Sequence, residues 1–209
     1  MFEIEYKGGN TVIINTKKAK VIVDPKLSVV GLKDISTKDA IEIATEPRFA
    51  TNNSDARLVI CGPGDYGVAD LDIHGIAARR HIDTDGMIAT IYRIEAGDIR
   101  LGVIGNINYQ LSDEQLEELG VLDILVLPIG GNGYTLDAVN AATLTRHISP
   151  KIVIPVHYKD SQVHYEVPQD DIGAFTKELG VPVETVSKYK YKANSAVGEQ
   201  LTVIELTRS

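Results

Sequence analysis

Several polar residues stand where apolar runs end, which is where strands display chemistry. Asp24 closes VIVDP, Asn106 follows LGVIG, His157 lies in KIVIPVHY, and the loop GGNGYT follows DILVLPI. His81 sits in RRHIDTDG, between two strand candidates. An imidazole in such a place binds a divalent metal through a ring nitrogen or moves a proton as general acid or base. His81, Asn106 and His157 are therefore the candidate catalytic residues. A Gly-rich turn that leads into a helix presents N–H groups to an anion. That makes Gly131, Asn132 and Tyr134, with Asp24, the candidate ligand-binding residues. Each residue also has a plainer reading: Asp24 before Pro25 starts a turn, Asn106 is a turn residue, His157 is a hydrogen-bonded core histidine and His81 is a solvated loop residue. His147 suits the last turn of a helix, while His74 and His164 carry no signal. GPGDYGV at 62–68 reads as turn chemistry and lacks the Lys-Ser/Thr of a phosphate-binding P-loop.

The elements that must hold these residues fall into two parts. Strands are expected at 2–7, 10–16 and 20–24 as an antiparallel meander, then at 41–45, 57–61, 71–78, 87–95 and 99–104. Ser112 and Gln115 form a capping box for a helix over 113–119 that stops at Gly120. Strands at 123–128 and 151–156, helices at 137–147 and 169–179, and strands at 181–186 and 200–206 complete the chain. A strand-rich first part followed by alternating helices and strands predicts an α/β (α+β) sandwich of two sheets with helices on its outer faces, as one domain over residues 1–209.

Composition narrows the function. With 44% hydrophobic residues in 209, the chain can bury a core. A net charge of -8, from 21 basic against 29 acidic residues, disfavours nucleic acid as a partner. The sequence has no apolar run long enough to cross a bilayer and no recognisable leader, so no membrane partner and a cytoplasmic location are expected. A single cysteine, Cys61, fits a reducing compartment and is read as a buried strand residue. Self-association is left open.

Taken in order, VIVDP, GPGDYGV, the lone His81 before TIYRIEAGDIRLGVIGN, the run LSDEQLEELGVLDILVLPIGGNGYTLDAVNAA and KIVIPVHYKD resemble the metallo-β-lactamase superfamily. The resemblance is to its branch of zinc-dependent hydrolases similar to ascorbate-6-phosphate lactonase, and it covers residues 2–206. It implies a four-layer αβ/βα sandwich with a dinuclear metal cleft between the sheets. It also implies that Asp24 braces the metal loops, that His81 binds the first zinc and that His157 binds the second. The HxHxDH signature of that family is replaced by ATEPRFATNN, with Thr45, Pro47, Phe49 and Ala50 at its four ligand positions. The bridging aspartate is Asn106. With His81 and His157 left, no cofactor is expected, and the chain reads as a metal-free relative that binds a small anionic molecule or a partner. The alternative is a hydrolase of a lactone, ester or phosphorylated sugar with a rebuilt site. That site would use zinc or another divalent metal held by His81 and His157 with Glu46, Asp83 or Asp85, or would use the two histidines as acid and base.

Overall fold

Strict alternation makes the first strand: FEIEYKG buries Phe2, Ile4 and Tyr6 and leaves Glu3 and Glu5 half-buried on the other face. The structure is a computed structural model that describes residues 2–82, 86, 88–191 and 200–209. Its strands in chain order are β1 (Phe2–Gly8), β2 (Thr11–Asn15), β3 (Lys20–Val23), β4 (Ile41–Ile43), β5 (Leu58–Ile60), β6 (Gly64–Val68) and β7 (Leu71–Ala78). They continue as β8 (Ala89–Ala96), β9 (Ile99–Val103), β10 (Ile124–Pro128), β11 (Ile152–Val156), β12 (Val183–Val186), β13 (Tyr189–Tyr191) and β14 (Thr202–Leu206). The helices are α1 (Asp113–Leu119), α2 (Ala138–Ile148) and α3 (Ile172–Leu179).

These strands form a six-stranded sheet, β13-β1-β2-β3-β4-β5, and an eight-stranded sheet, β12-β14-β11-β10-β9-β8-β7-β6. Their inner faces meet in one core, with Ile4, Ile14, Val23 and Ile43 from the first sheet and Tyr92, Val103, Val126 and Ile154 from the second. The outer face of the larger sheet is covered by helices, whose Leu144, Ile148, Phe175 and Leu179 pack with Leu125, Leu127 and Val153. Over the smaller sheet the outer layer is made of loops. Ile13, Ile22 and Ala40 pack with Ile35, and Leu27 and Val30 of a short 3-10 turn pack with Val163. The expected two-sheet sandwich is thus the architecture found. Among the described residues, no helix is long and apolar enough to cross a membrane.

Several local expectations change. GPGDYGV is not only turn chemistry: Gly64–Val68 is β6, an edge strand paired antiparallel with β7. Its glycines disguise a strand that gains its stability from one neighbour only. Cys61 is exposed, because it lies just beyond β5 at the sheet's free edge. His74 is not incidental; it lies on β7 between the carboxylates of Asp65 and Glu118. The last helix starts at Ile172, capped by Asp171, and leaves Gln169 outside it. The strand Tyr189–Tyr191, which pairs with β1, was not anticipated. The strand start expected at Met87 and the carboxylates of Asp83 and Asp85 lie outside the described residues.

Function is positioned by strand direction. β3, β4 and β5 run parallel in one sheet, and β9, β10, β11, β14 and β12 run parallel in the other. Their exits deliver Asp24, Thr45, Asn106, the 130–135 loop and His157 to adjoining positions. Two contacts knit the sheets there: the Thr90 N–H donates to the Thr45 carbonyl at 2.8 Å, and the Tyr92 hydroxyl donates to the Ala44 carbonyl at 3.0 Å. Gly105 turns with φ +67° against Thr45, where an added Cβ would stand 2.7 Å from the threonine Cβ. Gly105→Ala is expected to destabilise the fold by about 1–3 kcal/mol through strain and overpacking. Urea denaturation with an unchanged slope checks this, and wild-type stability in the variant would refute the close approach.

Candidate functional site

Asp24 leaves β3 in the left-handed region, with φ 49°, and this turns its side chain onto the exit of β4. Its carboxylate accepts the Thr45 N–H at 2.7 Å and the Thr45 hydroxyl at 2.6 Å. Burial pushes its pKa up to about 7 despite those bonds, and the Glu46 carboxylate adds to the rise. Thr45 is therefore a fixed point from which the next residues project.

What projects is an ion cluster. Glu46 is buried, and its Oε2 lies 3.0 Å from Arg48 Nε and 2.7 Å from Arg80 Nε. Its Oε1 accepts from Arg48 Nη2 at 3.2 Å. The Arg48 guanidinium lies over the rings of Phe49, at 4.6 Å, and Tyr134, at 5.1 Å. Phe49 closes a 3-10 turn that starts at Pro47, and its buried side chain lines a small cavity together with Asn10, Asp24 and His157. The cavity left there is about 10 Å³, no more than one water occupies. Beyond the turn, the buried Glu42 carboxylate accepts from the Thr37 hydroxyl at 2.8 Å, the Thr51 N–H and hydroxyl at 2.6 Å each, and the Asn52 N–H at 3.1 Å. Two buried carboxylates, Asp24 and Glu42, thus pin the loop at its two ends.

His157 leaves β11 with φ 51°, and its N–H donates to the Gly9 carbonyl at 2.8 Å across the sheets. Its Nδ1 pairs with Gln169 Oε1 at 3.1 Å. The ring stacks on Tyr134 at 5.5 Å and tilts against Tyr165 at 4.5 Å. Burial pulls its pKa down to about 4, so the imidazole is neutral at pH 7. His81 and Asn106 are neighbours through a 3.0 Å bond from the His81 N–H to the Asn106 carbonyl. Burial lowers the His81 pKa as well. Among the described residues, His81 Nδ1 and both side-chain polar atoms of Asn106 and of Asn10 have no hydrogen-bond partner.

The Gly-rich loop is turned on itself. The Gly131 N–H donates to the Leu136 carbonyl and the Thr135 hydroxyl, and the Asn132 amide donates to Asp170 Oδ1 at 3.2 Å. Asp137 caps α2 by accepting the Asn140 N–H at 2.8 Å. A carboxylate already stands where an anion at the helix start was expected. Gly130 is required here because a Cβ would lie 2.3 Å from the His157 carbonyl. Tyr134 is the loop residue that meets both His157 and Arg48.

Of the residues singled out from sequence, Asp24 and His157 line the small cavity, Tyr134 stacks on His157, and Asn106 joins His81 to Thr45 through Gly105. Gly131 and Asn132 stay within their own turn. Of the residues read at the signature's ligand positions, Thr45 is bound to Asp24, Pro47 opens the turn and Phe49 closes it, while Glu46 and Arg48 between them carry the polar contacts. Arg48, Arg80, Glu42 and Gln169 were missed. A carboxylate inside the apolar strand IEI, followed by the hydroxyl- and amide-rich TNNS, was the available signal for Glu42.

Residues 3–157 match the family described as beta-lactamase superfamily domain. A stretch of 56 residues is 43% identical to the UPF0173 metal-dependent hydrolase of Natranaerobius thermophilus, covering 27% of this chain and 23% of that protein. The UPF0173 metal-dependent hydrolase of Carboxydothermus hydrogenoformans is 35% identical over 75 residues, 34% of this chain and 31% of its own. These matches span about a quarter to a third of the relatives' length. Among solved structures, a metallo-beta-lactamase superfamily protein from Thermotoga maritima superposes with a TM-score of 0.75 at 18% identity, covering 99% of this chain and 100% of that one. A metallo hydrolase from Ignicoccus hospitalis gives 0.66 at 15% identity, covering 99% and 95%. At these identities the structures share the fold.

Two buried groups titrate with opposite effect on stability. Asp24 holds its proton up to about pH 7 when folded, against 3.8 for the ordinary group, so its contribution falls as pH rises across that interval. His157 has a folded pKa of about 4 against 6.5, so its contribution falls as pH drops across that interval. The slopes oppose each other where the windows overlap. Asp24→Asn should leave a profile in which stability rises with pH from about 4 to 6.5, and His157→Gln one in which it falls from about 4 to 7. Urea unfolding across this range checks both, and three parallel profiles would refute the assignment.

Proposed function

The chain belongs to the beta-lactamase superfamily, and we propose that within it this protein is a metal-free binder of a small molecule. The observation that carries this reading is the buried Glu46 carboxylate, shared by the guanidinium groups of Arg48 and Arg80. Shifting the signature by one residue puts Glu46, Arg48, Ala50 and Thr51 at its four ligand positions. A guanidinium is a permanent cation without a lone pair to donate, so Arg48 repels a metal where a histidine would bind it. Glu46 is already neutralised, and the Thr51 hydroxyl is spent on Glu42. His157 Nδ1 is committed to Gln169, and its ring is wedged between two tyrosines. Among the described residues, no group of three or more His, Cys, Asp or Glu side chains is placed to hold a metal ion. A catalytic zinc takes about three protein ligands plus a water, and this donor set does not fit it.

One observation favours the second reading, a hydrolase of an ester or lactone. The His81 Nδ1 has no partner among the described residues, and burial lowers the ring's pKa, which keeps the imidazole unprotonated and able to accept a proton at neutral pH. That reading predicts turnover of a simple lactone or an aryl ester that disappears in His81→Ala.

The main reading is checked by elemental analysis of protein purified without chelator, followed by thermal unfolding with added zinc. Neither zinc at stoichiometric level nor a zinc-dependent rise in Tm is expected, because a ligand that does not bind the folded state does not stabilise it. One or two zinc ions per chain, lost together in the His81→Ala, His157→Ala double variant, would overturn it.

A further inference from the structure

We infer that the Arg48–Glu46–Arg80 cluster is a docking point for the carboxylate head of a small organic acid, an inference that rests on the metal-free reading above. Charge is the first argument. Two guanidinium groups share one resident carboxylate, so the cluster itself carries one uncompensated positive charge. The imidazoles of His81 and His157 add none at neutral pH, because burial disfavours their charged forms. Three other carboxylates face the neighbourhood, and the first of them, Asp24, whose pKa of about 7 Glu46 helps to raise, is bound by Thr45. Asp137, which acts on His81, is committed to the α2 N-terminus, and Glu166, which acts on Tyr134, is exposed to solvent. A monoanion balances the cluster, whereas a phosphate dianion would bring a surplus negative charge against Glu46.

Unspent polar atoms are the second argument, and they are independent of the first. Asn106 is 2% exposed, yet its amide nitrogen and oxygen both lack a partner among the described residues, as does His81 Nδ1. Leaving a buried amide unpaired is costly, so such groups persist where a ligand or water completes them. Arg48 meets Glu46 through one edge of its guanidinium, with Nε 3.0 Å from Oε2 and Nη2 3.2 Å from Oε1, so a second carboxylate would take the opposite edge, through Nη1 and the remaining Nη2 proton.

Geometry selects the head group. Arg48 stands over the Phe49 and Tyr134 rings, at 4.6 and 5.1 Å, which restrains its guanidinium, and the open edge of a guanidinium matches a planar carboxylate in two parallel bonds. Arg48 and Arg80 are 31% and 20% exposed, so the cluster is reached from solvent while the Glu46 beneath it, at 3%, is not. The body of the acid would then remain outside, since Phe49 fills the interior.

The probes are acetate and inorganic phosphate, titrated at constant ionic strength while the arginine side-chain N–H and His81 imidazole resonances are followed by NMR. Saturable shifts at Arg48, Arg80 and His81 are expected with acetate, with phosphate about tenfold weaker. Arg48→Gln should abolish the acetate response. Glu46→Gln raises the cluster's charge by one, so it should bind both anions more tightly and gain most for phosphate. If Arg48→Gln does not fold, Glu46→Gln decides alone. Equal responses to the two anions in the wild type, no saturable shift, or an unchanged preference in Glu46→Gln would each overturn the inference. Zinc content, measured separately, decides the metal-free reading, so a zinc-free protein that ignores acetate sinks only this step.

Discussion

The pair of hydrogen bonds from Thr45 to the buried Asp24 carboxylate is the constraint on which the rest of the site depends. It joins the exits of two adjacent parallel strands at 2.7 and 2.6 Å, just beyond their last paired residues, Val23 and Ile43. Because Thr45 cannot move, its carbonyl can receive the Thr90 N–H from the other sheet, and Gly105 can pack against its methyl group. Three strand exits, after β3, β4 and β9, and the start of β8 are thereby brought to one place, and the side chains that follow Thr45 inherit a fixed origin.

The loop after Thr45 shows why burying charge here is tolerable. Glu42 and Glu46 lie on either side of Thr45, both out of solvent, and each is surrounded by donors rather than left alone. Glu42 takes four neutral donors and orders residues 51–52 against β4; Glu46 takes two guanidinium groups and orders the 3-10 turn. An unpaired buried carboxylate would cost several kcal/mol, so each set of donors is a condition for its glutamate and not an ornament. Asp24 and His157 solve the same problem differently. Their pKa values move to about 7 and about 4, which leaves each largely uncharged at mildly acidic pH.

The exits of the parallel strands were readable because an apolar run that ends in a polar residue has the same meaning in every parallel strand. Asp24, Asn106 and His157 were found that way, and the capping box at Ser112 fixed the start of α1. What escaped was whatever depends on partners distant in sequence. Arg48 and Arg80 look like surface residues in a row of letters, and only the closeness of β4 to the end of β7 gives them a common carboxylate. Gln169 passed for the first turn of a helix because Asp171, two residues later, is an equally good cap. β13 is three residues long and alternates too briefly for its period to register. The Gly-rich loop suggested an anion site, but the Gly131 N–H is turned onto Leu136 and Thr135, the Asn132 amide goes to Asp170, and Asp137 takes the Asn140 N–H in the first turn of α2.

On the metal-free reading, the cluster is a unit that does not revert one residue at a time. Replacing Arg48 by His would offer a metal one nitrogen, but Arg80 would still hold a cation on Glu46 and repel the ion. Replacing both arginines would leave Glu46 buried without a counter-charge until a metal arrived, with a cost in stability that precedes any gain. Phe49 adds a steric term, because it occupies the space beside Asp24 and His157 and leaves room for no more than a single water. The positive charge that a metal would bring is instead supplied covalently by the chain, so it requires neither metal supply nor ligand deprotonation. A fixed guanidinium binds an anion without making a potent nucleophile of water. On that reading, recognition of a ligand is the chemistry we propose for this arrangement.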